Sequence, residues 1–287
     1  MKPDMNRRTF LQTTVGAAAG SAALLAARPK LEIGVTDWNL GQTGKVEAVA
    51  LAKKLGFAGV QVSLGRKIVD NRLPLADPET QAQYLDAVKT HGIPINSTCL
   101  DILHTNCLKN DALGKKWVAD SIPITRKLNA KVVLLPFFGK CSLATPDEMN
   151  YTADMLKELA SDAANAGVIL GLENTISAGD NMRILDRAKS PAVQVYYDVG
   201  NSTHGGFDAP REIRQLGRKR ICQFHFKDNP HYLGEGKVDM ANVLHAISEI
   251  EYRGYADLET DAPSKDIEAD LRRNLTYVRR LMSENGL

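Results

Sequence analysis

The chain of 287 residues holds only four cysteines, Cys99, Cys107, Cys141 and Cys222, and no two are spaced as CxxC. That spacing excludes a zinc-thiolate or iron–sulfur reading. The four thiols are expected to be buried and free, although an oxidising compartment would allow a disulfide among the first three. No GxGxxG follows the first apolar run and no GxxxxGK(S/T) occurs, so nucleotide cradles lack support. No basic cluster marks a phosphate site. No apolar stretch is long enough, and rich enough in large side chains, to read as a membrane span.

Charge excludes a further class. Lys and Arg number 36 against 34 Asp and Glu, a formal +2. Residues 1–30 hold Lys2, Arg7, Arg8, Arg28 and Lys30 against Asp4. Beyond them 31 basic residues face 33 acidic ones. A body so near neutrality offers no electrostatic footprint for nucleic acid. The same thirty residues read as an export signal. NRRTFLQ places paired arginines before a polar residue, Phe10 and Leu11, and an uncharged Ala/Gly/Ser/Val/Leu stretch runs from Gln12 to Ala27. This is a signal-peptide pattern, and the arginine pair resembles the twin-arginine signal, which exports folded proteins. The expected partner is the twin-arginine export machinery and the expected location the periplasm, with an uncleaved anchor as the alternative. Residues 31–287 are expected to form one domain. A homo-oligomer is neither required nor excluded.

After residue 30 the pattern alternates. Apolar runs suited to strands occupy 31–38, 59–64, 94–99, 131–136, 168–174, 193–199, 222–227 and 255–260. Helical stretches follow at 44–55, 78–91, 111–128, 146–166, 180–189, 209–217, 239–251 and 265–283. Short strands alternating with helices imply a parallel sheet. Eight such units in a chain of this length predict an α/β fold, a (β/α)8 TIM barrel.

Four residues that bind metals or move protons recur once per unit in the second half: Glu173, Asp198, His225 and Glu259, at gaps of 25, 27 and 34 residues. Each closes one of the runs VILGLENT, VQVYYDV, ICQFHFKD and YADLET. Strand ends of a closed barrel meet on one face, so the four should converge. Parity agrees, because side chains alternate faces with period two. His225 shares its face with Gln223 and Lys227, Asp198 with Tyr196 and Gln194, Glu259 with Asp257, and Glu173 with Gly171. Strand 1 would send Thr36 and Trp38 inward, and strand 2 Gln61 and Ser63. Three buried carboxylates without a counter-charge would repel and pay desolvation. A divalent cation removes that cost. Oxygen ligands with one imidazole favour Mn²⁺, Mg²⁺ or Co²⁺, with Zn²⁺ allowed.

The segments GLENT, YYDVGNS, FHFKD, LGEGKVD and DLET resemble the sugar phosphate isomerase/epimerase superfamily, the xylose isomerase-like TIM barrels, over about residues 31–287. The resemblance implies that Glu173, Asp198, His225 and Glu259 hold the metal, and that Glu173 and Glu259 are also the catalytic acid and base. It implies a metal-dependent isomerase or epimerase of a ketose or keto-sugar acting through an enediolate. The alternative is a dehydratase or lyase of a keto-sugar, keto-glycoside or inosose, which shares the first proton abstraction. Two positions depart from the ketose epimerase pattern: Asn201 stands where a histidine is usual, and Lys227 and Asp228 follow His225 with no arginine before Arg253. Lys227, Asn201, Trp38 and His204 are the candidate substrate contacts. His104 and His231 read as ordinary surface histidines, and LGEGKVD as a turn leading Asp239 to a helix N-terminus. Apurinic endonucleases share the fold but need extra histidine ligands. Strand 2 has none, which argues against that activity.

Overall fold

A computed structural model describes residues 31–287; residues 1–30, and the export signal expected there, lie outside the described residues. The strands are β1 (Leu31–Thr36), β2 (Val60–Ser63), β3 (Ile95–Cys99), β4 (Val132–Pro136), β5 (Ile169–Glu173), β6 (Val193–Asp198), β7 (Ile221–Phe226) and β8 (Gly254–Leu258). Each pairs in parallel with the next, and β1 pairs with β8, closing the barrel. All eight lie within the runs expected from the sequence or within a residue of them.

The helices are α1 (Glu47–Leu55), α2 (Pro78–His91), α3 (Ala112–Lys127), α4 (Pro146–Ala166), α5 (Ala178–Ala188), α6 (Val199–His204), α7 (Ala209–Leu216), α8 (Met240–Glu249) and α9 (Ile267–Glu284). Their ends follow local chemistry. Asp77, Asp111, Ser177, Asp208, Asp239 and Asp266 each accept a first-turn N–H with their side chain, a cap worth about 1 kcal/mol. Thr145 and Glu148 form a reciprocal capping box at α4. Gly56, Gly92 and Gly167 close α1, α2 and α4 at φ of 92°, 62° and 68°, where a side chain would be strained.

Two apolar zones result. The larger lies between the strands' outer faces and the helices, and holds residues such as Val35, Val62, Val133, Leu172, Phe224 and Leu258. The smaller comprises Cys99, Val132, Leu134 and Tyr196, and fills part of the barrel's interior. The rest of that interior is polar. Asp257 on β8 accepts from Asn96 Nδ2 at 2.6 Å, Tyr196 Oη at 2.7 Å and Gln223 Nε2 at 2.6 Å. Four strands are thereby tied through one carboxylate. Gly34 on β1 leaves the room, since a Cβ there would collide with Asp257 and Asn96.

Three loops on the C-terminal side differ from a plain strand-to-helix link. Single 3₁₀ turns, Pro74–Ala76, Asp101–His104 and Gly139–Cys141, follow β2, β3 and β4. Their patterns are too short for periodicity to reveal. The expectation of four free thiols is also corrected. Cys107 and Cys141 are joined by a disulfide, their Cα atoms 5.0 Å apart, while Cys99 and Cys222 are free. Residues 34 apart in sequence meet because β3 and β4 are neighbours and carry adjacent loops. Lys109 reinforces the link by donating to the Ser142 carbonyl at 2.7 Å.

Closing a loop of that length stabilises the fold by roughly 3–4 kcal/mol in the chain-entropy account. Reduction, or Cys107→Ser with Cys141→Ser, is expected to lower the unfolding temperature by at least ~5 °C. Thiol titration in denaturant should count two free thiols before reduction and four after.

Candidate active site at the C-terminal mouth of the barrel

Glu173, Asp198, His225 and Glu259 come from the ends of β5, β6, β7 and β8 and converge. Their ligand atoms all lie within 4.8 Å of one another. His225 Nδ1 is 2.8 Å from Glu173 Oε1, 3.4 Å from Glu259 Oε2 and 3.8 Å from Asp198 Oδ2. One residue of strand shift would turn all four away, so the parity of the strands is what assembles the cluster.

Each member is oriented by a neighbour. Asp198 ends β6 and also caps α6, accepting the Asn201 N–H on Oδ1 at 2.7 Å. Its Oδ2 is buried and paired with Lys227 Nζ at 2.8 Å. His225 Nε2 donates to Gln61 Oε1 at 2.7 Å, which fixes the ring and aims Nδ1 at the carboxylates. Glu259 is held at both oxygens: Trp38 Nε1 donates to Oε1 at 3.1 Å and Lys227 Nζ to Oε2 at 2.6 Å.

Charge dominates this arrangement. Burial pushes the Asp198 carboxyl up to about 7. Burial acts the same way on Glu259, but attraction from His225 and Lys227 outweighs it and holds that carboxyl down at about 2. Burial would lower His225; Glu259 and Glu173 outweigh it and hold the imidazole up at about 9. Lys227 is raised as well, its desolvation overcome by Asp198 and Glu259. Three carboxylates carry three negative charges and Lys227 offsets one. A divalent cation bound beside a neutral imidazole would balance the rest. The convergent carboxylate oxygens and the imidazole nitrogen fit such an ion.

The cluster opens into a cavity of about 810 Å³ lined by Trp38, Asn201, Lys227, Glu173 and Glu259. Asn201 Nδ2 is buried there without an acceptor. His204 is elsewhere. It ends α6, about 4.5 Å further along the helix axis than Asn201, and is exposed outside the cavity lining. His231 is exposed too, whereas His104, read as a surface histidine, lines the cavity half-buried and stacks on Phe138. LGEGKVD forms the expected turn into α8. The residue that holds it was not anticipated: Asp228, fully buried, accepts the N–H groups of Gly236, Lys237 and Val238 at 2.9, 2.8 and 3.1 Å. Asp101 was missed as well. It shares parity with Ser97 and Cys99, both interior, so extending the count past the end of β3 would have pointed to it.

Mn²⁺, Mg²⁺ or Co²⁺ at about 100 times its Kd is expected to stabilise the fold by roughly 2.7 kcal/mol, read as a higher unfolding temperature. Asp198→Asn should weaken binding at least ~10-fold. A proton competes with the cation for His225 Nδ1, so binding at pH 7 should release protons and tighten as pH rises toward about 9. Calorimetry in buffers of different ionisation heat checks this.

The sequence matches the family model described as Xylose isomerase-like TIM barrel over residues 49–281. It is 26% identical over 236 residues, 72% of this chain and 80% of the other, to "Putative L-ribulose-5-phosphate 3-epimerase SgbU" of Escherichia coli (strain K12). Solved structures with the same fold include the 3-keto-D-glucoside 4-epimerase of E. coli in its apo form (TM-score 0.71, 18% identity, covering 88% of this chain and 100% of that one). Another is the D-psicose 3-epimerase with D-tagatose from Clostridium cellulolyticum H10 (TM-score 0.73, 15% identity, 88% and 99% covered). The family match spans most of the residues that build the closed eight-stranded barrel, and the chain belongs to the xylose isomerase-like TIM barrel family.

Proposed function

We propose that the chain is a divalent-cation-dependent isomerase or epimerase of a ketose or keto-sugar. The observation that carries this reading is the pair Glu173 and Glu259, both within 3.4 Å of His225 Nδ1 and both lining one cavity. The three relatives described above carry the names of sugar epimerases, which supports it.

A cation held by Glu173, Asp198, His225 and Glu259 would supply Lewis-acid stabilisation of the charge that develops on the substrate oxygens. The chain's own groups do the rest. One glutamate removes the proton from the carbon between carbonyl and hydroxyl, and the other returns a proton to the opposite face. Return to the same carbon inverts it; return to the neighbouring carbon exchanges aldose and ketose. The two carboxylates are unequally held. Glu259 is fixed at both oxygens by Trp38 and Lys227, whereas Glu173 is engaged by His225 through Oε1. Lys227 adds positive charge beside the developing enediolate. Asn201 Nδ2 is a donor in search of an acceptor, which a sugar hydroxyl supplies.

We also propose that the protein is exported to the periplasm by the twin-arginine route. The Arg7–Arg8 pair carries this, and the Cys107–Cys141 disulfide, which suits an oxidising compartment, supports it.

In deuterated water, cation-loaded protein is expected to place deuterium in the recovered and epimerised sugar, read by mass spectrometry. Glu173→Gln and Glu259→Gln should each slow exchange ~10²-fold or more. Either variant at wild-type rate would remove that residue from acid–base work. Loss of a substituent from the sugar in place of exchange would assign a lyase.

A further inference from the structure

The cavity is larger than one sugar needs. A hexose has about twelve non-hydrogen atoms, each taking less than a water's ~30 Å³ share of liquid, so it fills well under ~360 Å³. More than half of the 810 Å³ is left over. The remaining wall comes from the loops after β1, β2, β3 and β4, across the rim from the cluster on β5–β8.

That wall is built and held. Asp101 lines it while only 7% exposed. Ser63 Oγ donates to Asp101 Oδ2 at 2.6 Å, and the nearest cation to Oδ1 is Arg66 Nε at 4.0 Å, on a side chain 67% exposed. Among side chains, Oδ1 therefore has no donor closer than that guanidinium. His104 and Phe138 stack beside it, ring centroids 6.1 Å apart and planes 26° from parallel. The disulfide ties together the loops that carry these two rings, so the surface is set before a ligand arrives.

We propose that this wall is a second sugar subsite, taking a neutral, polyhydroxylated ring joined to the keto-sugar that reacts at Glu173 and Glu259. The proposal rests on the epimerase reading of the cluster. The chemistry selects the occupant. A carboxylate only accepts hydrogen bonds, and hydroxyl groups donate them. A phosphate or carboxylate substituent brings acceptors alone and cannot donate to Asp101; Arg66 and Lys67, which also line this wall, make the phosphate ester the competing occupant in the test. The stacked rings offer an apolar face for the C–H side of a pyranose. The substrate is accordingly a keto-disaccharide or comparable keto-glycoside, more than a free ketose.

The test compares kcat/KM for deuterium exchange on 3-keto-glucose, 3-keto-cellobiose and 3-keto-glucose 6-phosphate with the cation-loaded enzyme. The disaccharide is expected to lead the monosaccharide at least tenfold. Asp101→Leu and, separately, Phe138→Ala should shrink that ratio at least fivefold. Asp101→Asn serves if Asp101→Leu does not fold. Exchange with equal values for one and two rings would overturn the subsite while leaving the epimerase reading intact, and so would preference for the phosphate ester. A disaccharide preference untouched by all the variants would overturn the assignment to these residues. No exchange with any keto-sugar would overturn the underlying reading, and this inference with it.

Discussion

Three carboxylates forced together at a barrel mouth repel one another, and the surrounding structure is arranged around that repulsion. Removing like charges from water is costly, and the cost grows as the medium becomes less polar. Lys227 lies against Asp198 and Glu259 at 2.8 and 2.6 Å, and Gln61 turns His225 so that Nδ1 faces all three acids. One lysine charge cannot balance three carboxylates. With the imidazole neutral, as a metal ligand is, the shortfall is the size of a divalent ion, and the donor set is of the kind that binds one.

The layer beneath supports the cluster. Two residues down from Asp198, His225 and Glu259 on the same strand faces lie Tyr196, Gln223 and Asp257, the latter receiving three short hydrogen bonds. A fully buried carboxylate is tolerable only when so satisfied. The network also keeps the strands in register, and register decides which residues reach the mouth. The mouth therefore inherits its geometry from a polar interior that itself makes no contact with the cavity.

Much of this was legible in the sequence where the signal is local. Glu173, Asp198, His225 and Glu259 could be found because each ends an apolar run and shares parity with its strand's polar residues. The same count placed Trp38, Gln61 and Lys227 inward. It failed where the chain leaves regular structure. His204 belongs to a six-residue helix that begins directly after Asp198, where an irregular loop was expected, and it is carried out to solvent. Asp101 and His104 sit on a single 3₁₀ turn that no periodicity reveals. Asp228 looks like a loop residue beside Lys227, yet it is buried and organises ten residues of loop through three backbone N–H groups.

By itself the sequence determined the eight-fold alternation, the inward parity and the identity of the four convergent groups. Those follow from side-chain period and apolar patterning, which act over a few residues. Only the tertiary structure decided that Cys107 meets Cys141, that Lys227 bridges two acids, and that Asp101, His104 and Phe138 wall the far side of the cavity. Each of those depends on which loops become neighbours when the barrel closes, and closure is a property of all eight strands at once.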